Sequence, residues 1–291
     1  MPPERATSSE YGQHAMIKLK SSDVTLHYIS KGLPNQPMIL FVHGFPECWY
    51  SWRFQLKYFS KKYRVVAIDT RGYGLSSKPL YVSDYTAHEL AGDVADVIEQ
   101  LGYDTCILVG HDWVEKLVIM NSPHPQVFRS DLSWTQLKRS WYMFYHQCPI
   151  IPELILQSND FELLESTFLK KPMGLVNTIN MDHDDIEVYK YTFAQRGTAK
   201  SAINYYRAMF RYQFDLSHSY ISAPTLLIWG LNDATLGEEL CDGTAKYCAD
   251  LRIRKIPNVS HWVQQDAPTQ CNTYIDVFLN EHSLVENTLD F

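Results

Sequence analysis

Four short, almost purely apolar runs, at residues 38–42, 65–68, 106–109 and 225–229, constrain the fold more than any other feature of this chain. None alternates polar and apolar side chains as a strand with one wet face does. Each therefore reads as a strand covered on both faces. Buried strands of this kind belong to parallel sheets, and parallel neighbours need long crossovers, usually helices. The sequence supplies them. Residues 50–59 are aromatic and amphipathic. Residues 87–101 carry an apolar stripe of Leu90, Val94, Val97, Ile98 and Leu101, with Thr86 and Glu89 spaced as a capping box and Gly102 as a stop. A last helix is expected over residues 267–279. Half-buried strands are expected at 16–19 and 24–28, and a further strand over 117–120.

Residues 129–217 break the β-α-β order. They hold many aromatics and helical stretches, 182–194 and 201–212 among them, but no convincing strand. The expected organisation is an α/β core over 16–128 and 218–291, with a helical lid over 129–217 above the carboxyl edge of the sheet, where ligands bind in such folds. Residues 1–15 are polar and proline-bearing and read as a disordered tail.

The net charge of −7 leaves no electrostatic footprint for nucleic acid or an anionic membrane, so a small uncharged or apolar partner is the better expectation. Six cysteines occur without a CxxC pair, which argues against a disulfide framework or zinc site and fits reduced thiols in the cytoplasm. Residues 1–11 do not resemble a signal peptide, and no apolar run approaches the length of a membrane span.

The strand at 106–109 runs into Gly110-His111-Asp112-Trp113. A nucleophile on a sharp turn after a buried strand is the device of α/β-hydrolases, where it is usually serine. Aspartate there is already ionised at neutral pH and attacks an alkyl carbon without a base. Asp233 follows a late strand and His261 comes after it, so nucleophile, acid and histidine occur in the chain order of that fold's triad.

His43-Gly44-Phe45-Pro46-Glu47, the DxRGYGxSS segment at 69–77, Gly110-His111-Asp112-Trp113 and Ser122-Pro123-His124-Pro125, in that order, resemble the epoxide hydrolase family of the α/β-hydrolase superfamily. The match covers most of residues 16–280. It implies Asp112 as nucleophile, Asp233 and His261 as the acid–base pair, and the backbone N–H groups of Phe45 and Trp113 as oxyanion hole. Segments at 141–149 and 204–207 are similar to the family's two lid segments and imply that Tyr142 and Tyr206 donate hydrogen bonds to the epoxide oxygen. Tyr145 and Tyr205 are their competing neighbours. Phe45, Pro46, Trp113 and Trp141 would line the substrate pocket. The resemblance implies water and an epoxide as reactants, and neither metal nor organic cofactor. Aromatic lid residues, Trp134, Trp141, Phe144 and Phe193, suit apolar or lipid epoxides. His43 and His111 read as loop supports.

One departure stands out. The family has a glycine two residues after the nucleophile, then a helix, then the next strand. Here only residues 111–116 separate Gly110 from the apolar run at 117–120. A parallel crossover needs about a dozen residues, so one strand is expected to shift or the 117–121 run to leave the sheet. Three readings stay open: an active epoxide hydrolase; an impaired relative that is at most a ligand-binding scaffold; and a haloalkane-type dehalogenase, although Trp113 replaces the arginine of fluoroacetate-type enzymes.

Overall fold

The computed structural model describes residues 1–112, 118–130, 132–212 and 219–286, with the side chains of 282–286 left aside. Eight strands form one sheet: β1 (Gln13–Lys18), β2 (Thr25–Lys31), β3 (Met38–Val42), β4 (Arg64–Ile68), β5 (Ile107–His111), β6 (Val118–Met120), β7 (Thr225–Gly230) and β8 (Leu251–Ile256). Their spatial order is β1-β2-β4-β3-β5-β6-β7-β8. β1 and β2 pair antiparallel, and β2 joins β4 antiparallel; every pairing from β4 to β8 is parallel.

The helices are α1 (Glu4–Thr7), α2 (Arg53–Phe59) and α3 (Ala87–Gln100), then α4 (Pro125–Ser130), α5 (Trp134–Arg139) and α6 (Trp141–Tyr145). They continue with α7 (Ile151–Gln157), α8 (Glu162–Leu169), α9 (His183–Ala194), α10 (Thr198–Arg211), α11 (Glu238–Gly243), α12 (Val263–Asp266) and α13 (Pro268–Glu286). The central strands are buried on both faces, as their unbroken apolar runs require. Ile39, Phe41, Val65, Ala67 and Val109 pack in one cluster with Leu56 of α2 and Ile275 of α13. Leu40, Val42, Val66, Ile68 and Leu108 face the other way, toward Val97 of α3. Between β6 and β7 the described residues contain no named strand, and helices α4–α10 occupy the interval.

Three expectations need correction. The run after Asp112 stays in the sheet: β6 lies between β5 and β7, with Val109 opposite Val118 and His111 opposite Met120. The register explains how. The chain need only retrace about three residues of rise, roughly 10 Å, before β6 begins, while the six peptide units from Asp112 to Val118 reach about 20 Å. The crossover rule assumed full-length strands. Residues 113–117 themselves lie outside the described residues.

The first residues, expected as a disordered tail, are built into the molecule. Arg5 binds Asp182 and Asp185 at the start of α9, each at 2.7 Å. Buried Tyr11 shares a hydrogen bond with the Tyr50 hydroxyl at 3.1 Å. Partners this distant in sequence leave no local trace. The capping box at α3 is half made. Thr86 caps the Glu89 N–H, but the Glu89 carboxylate turns to Arg71 at 3.1 Å.

Candidate active site

β5 ends at His111, and Asp112 follows with φ +67°, a left-handed conformation uncommon for a side-chain-bearing residue. It is pinned from two sides. Its N–H reaches the Met120 carbonyl at 3.3 Å, and the Ser122 hydroxyl donates to its carbonyl at 2.8 Å. The Phe45 N–H donates to Oδ2 at 3.3 Å. Gly44 permits this approach, since a Cβ there would stand 2.4 Å from the Asp112 Cβ. Burial raises the Asp112 carboxyl above its ordinary range, and the charges of His261 and His111 oppose that rise.

Asp233 follows β7, and His261 follows β8. The His261 Nδ1–H donates to Asp233 Oδ2 at 2.7 Å, which leaves Nε2 as the proton acceptor. Asp233 is heavily bonded: Oδ2 also accepts from Asn121 Nδ2 at 2.6 Å, and Oδ1 takes the Thr235 N–H, the Thr235 hydroxyl and the Leu236 N–H. Burial works against the charged form, yet His261 and these donors hold the Asp233 carboxyl down at about 2. Burial likewise disfavours a charged His261, but Asp233 and then Asp112 push it up to about 9.

A second buried carboxylate ties the loops together. Glu47 Oε2 meets His111 Nδ1 at 2.6 Å and the Gly44 N–H at 3.3 Å, while Oε1 accepts from Gln264 at 2.7 Å and Gln265 at 2.9 Å. His111 Nε2 faces the His261 carbonyl at 2.9 Å. The end of β5, the loop of Gly44 and Phe45, and the loop of His261 thus share one anchor. His43 holds its own loop through Gly44 O at 2.8 Å and the Thr70 N–H at 3.1 Å.

Helices α6 and α10 bring the two expected tyrosines to the same cavity as Asp112. Tyr142 of α6 and Tyr206 of α10 stand edge-on, ring centroids 5.8 Å apart, and both line the cavity of about 960 Å3 that Asp112 also lines. Burial raises both phenols, and the Asp112 charge adds to it, so each keeps its proton for donation. The Tyr205 hydroxyl is instead committed to Arg71 O at 2.7 Å, and Tyr145 is not among the residues lining the cavity.

The other expected pocket residues divide. Phe45 packs edge-on against Tyr206 at 5.2 Å, and Pro46 is buried; neither is among the cavity's lining residues. Trp141 is 64% exposed and also absent from the lining. Successive helix residues point about 100° apart, so a helix that turns Tyr142 inward turns Trp141 out. Trp113 lies outside the described residues. Sequence reasoning missed Asn121, Thr235 and the anchoring by Glu47. Asn121 had one usable signal, a residue tolerant of left-handed backbone ending a buried strand, and its φ is +41°. Among the described residues no cluster of His, Cys, Asp or Glu is arranged to hold a metal, and no helix is long and apolar enough to cross a membrane.

A buried carboxylate thus faces two protonated phenols, with a histidine–aspartate pair beside it. Residues 37–113 match the alpha/beta hydrolase fold family. Epoxide hydrolase 1 of Caenorhabditis elegans is 44% identical over 284 residues, covering 91% of this chain and 70% of that protein. Epoxide hydrolase 3 of Xenopus tropicalis is 39% identical over 302 residues, covering 97% of this chain and 82% of that protein. That matched stretch is longer than the 291 residues here, so the frog protein carries residues with no counterpart in this chain. The crystal structure of Bacillus megaterium epoxide hydrolase in complex with an inhibitor superposes with a TM-score of 0.81 at 30% identity, covering 91% of this chain and 100% of that one.

Proposed function

Because the chain belongs to the epoxide hydrolases of the α/β-hydrolase fold, we propose that it opens an epoxide to a diol through an ester formed on Asp112. The observation that carries the reading is the Phe45 N–H on Asp112 Oδ2, with both lid phenols lining the same cavity. Asp112 Oδ1 attacks an epoxide carbon and the ring C–O bond breaks. Charge developing on the ring oxygen is met by hydrogen bonds from Tyr142 and Tyr206, and one of these phenols passes its proton to that oxygen as the C–O bond breaks, so the product is an alkyl ester with a neighbouring hydroxyl beside a phenolate.

His261 Nε2 then takes a proton from water as that water attacks the ester carbonyl carbon. The resulting oxyanion is on Oδ2, where Phe45 already donates. Asp233 stabilises the imidazolium, which gives its proton to the departing alkyl oxygen as the intermediate collapses; the diol leaves, and the proton of the new carboxyl group returns to the phenolate, restoring the Asp112 carboxylate and both phenols. Trp113, the second expected donor, lies outside the described residues. Leucine, valine and aromatic side chains around the cavity support apolar epoxides, lipid epoxides included, as substrates.

The test is a trap. His261→Gln keeps the nucleophile but removes the base, so incubation with styrene oxide should yield intact protein heavier by one substrate, with the adduct on Asp112. A His261→Gln enzyme that turns over normally would remove the assignment.

One observation favours a second reading, an impaired family member. Five residues separate Asp112 from β6, too few for an ordinary crossover helix. An elbow without a following helix forgoes the dipole and oriented N–H groups at the helix start. This reading concerns rate and leaves the chemistry unchanged.

A further inference from the structure

The cavity that reaches Asp112 does not end there. It continues onto the face of the sheet beneath, where Leu26, Val42, Ile68 and Leu108 form one wall and Leu90 and Val94 of α3 form the other. α3 shows the consequence of this opening. Its sequence carries an apolar stripe fit for burial, yet along the helix only Asp93 and Val97 are fully buried. Leu90, Val94 and Ile98 are left partly covered, and all three border the cavity. A stripe of that strength facing open volume lacks the close packing of a protein interior.

The arm is apolar by construction. Among the described residues its buried carboxylate, Asp93, is held by Arg71 at 2.5 and 2.7 Å. The charged Asp104 and Arg129 that also border the cavity are solvent-exposed. About 960 Å3 is near the top of the range for small-molecule sites, far more than an epoxide ring with a short substituent occupies. Every methylene drawn from water into such a space adds to affinity.

We infer that this arm between α3 and the sheet is a binding site for one unbranched apolar chain, an alkyl or acyl tail whose other end lies at Asp112. The inference rests on the epoxide-opening reading only for what happens at Asp112; the tail site binds whether or not chemistry follows. It also places the tail beneath the nucleophile rather than under the lid, and this predicts which substitutions set chain-length preference.

The test uses the whole chain and cis-parinaric acid, a linear polyene acid whose fluorescence rises in apolar surroundings. Saturable binding of about one equivalent is expected, and it should persist in Asp112→Asn, which cannot form an ester. Val94→Trp and Leu90→Trp fill the arm from a helix surface already partly open to solvent, and each should weaken binding at least tenfold with melting temperature little changed. The same variants should lower the ratio of kcat/KM for a C18 epoxide to that for styrene oxide by a similar factor. Absence of saturable binding, or binding and chain-length ratio both indifferent to the two substitutions, would overturn the inference. So would a concentration-dependent dimer, abolished by Val94→Trp, with no parinarate bound, because a second copy would then be the occupant. Parinarate binding without turnover of any epoxide would leave the site standing and remove the proposed reaction.

Discussion

The Phe45 N–H donates to Asp112 Oδ2 at 3.3 Å, and this contact divides the work of the two carboxylate oxygens. In the proposed reaction Oδ2 is where negative charge appears during ester hydrolysis, and Oδ1 is the oxygen left for attack. Gly44 makes the arrangement possible, because any side chain there would collide with the Asp112 side chain. Asp112 and the Phe45 N–H are therefore brought together by one close approach between two loops.

Tyr142→Phe and Tyr206→Phe should each slow alkylation, and the double variant should nearly stop it. Losing a single preorganised donor to developing charge costs on the order of 2.7–4 kcal/mol; with two donors on one oxygen, each single loss should fall below that. Rapid-quench single turnovers measure the step. Unchanged rates in both single variants would show that other hydroxyls serve the ring oxygen.

The two half-reactions should part company with pH. Hydrolysis needs neutral His261, which Asp233 and Asp112 push up to about 9 against the effect of burial. Esterification removes the Asp112 charge, and with it one cause of that rise. The hydrolytic rate should therefore climb with pH and level off below about 9. Alkylation needs ionised Asp112, whose carboxyl is raised by burial, so it should fail on acidification sooner than an ordinary carboxylate with pKa of about 3.9 would dictate. A hydrolytic limb that is flat from about pH 6 to 9 would contradict the role of His261.

How far the sequence foretold all this depended on the range of each interaction. The central strands were legible because burial on both faces writes itself into every residue of a short run, as at Met38–Val42. Ordered motifs singled out Asp112, Asp233, His261, Tyr142 and Tyr206, and the structure bonds His261 to Asp233 and lines one cavity with Asp112, Tyr142 and Tyr206. Contacts between distant segments were not legible. Nothing near Arg5 announces Asp182 and Asp185, and nothing near Glu47 announces Gln264 and Gln265. Trp141 failed for a local reason: a motif names neighbours, while a helix sends them in different directions. Of the two outcomes expected after Asp112, a shifted strand or a run that leaves the sheet, the second is overturned by the pairing of β6 with β5 and β7, because register, which the sequence hides, sets how far the chain must return.

Restoring a Gly-Gly start and an amphipathic helix between Trp113 and Val114 should raise the rate on styrene oxide at least about a hundredfold, since a displacement near 1 Å between reacting groups has that cost. The melting temperature should rise as well, because the added helix would cover apolar sheet now facing a cavity. Equal rates and equal melting for the two proteins would show that the elbow works without its helix.

The central claim is that the oxygen delivered to the product comes from Asp112. A single turnover with enzyme in excess, run in oxygen-18 water, tests it directly. Water attacks the ester carbonyl carbon in this account, so the first diol should carry no heavy oxygen, and the peptide containing Asp112 should gain the mass of one oxygen-18 substitution. Heavy oxygen in the first diol, with an unlabelled Asp112 peptide, would mean that water attacks the epoxide itself and that no ester forms.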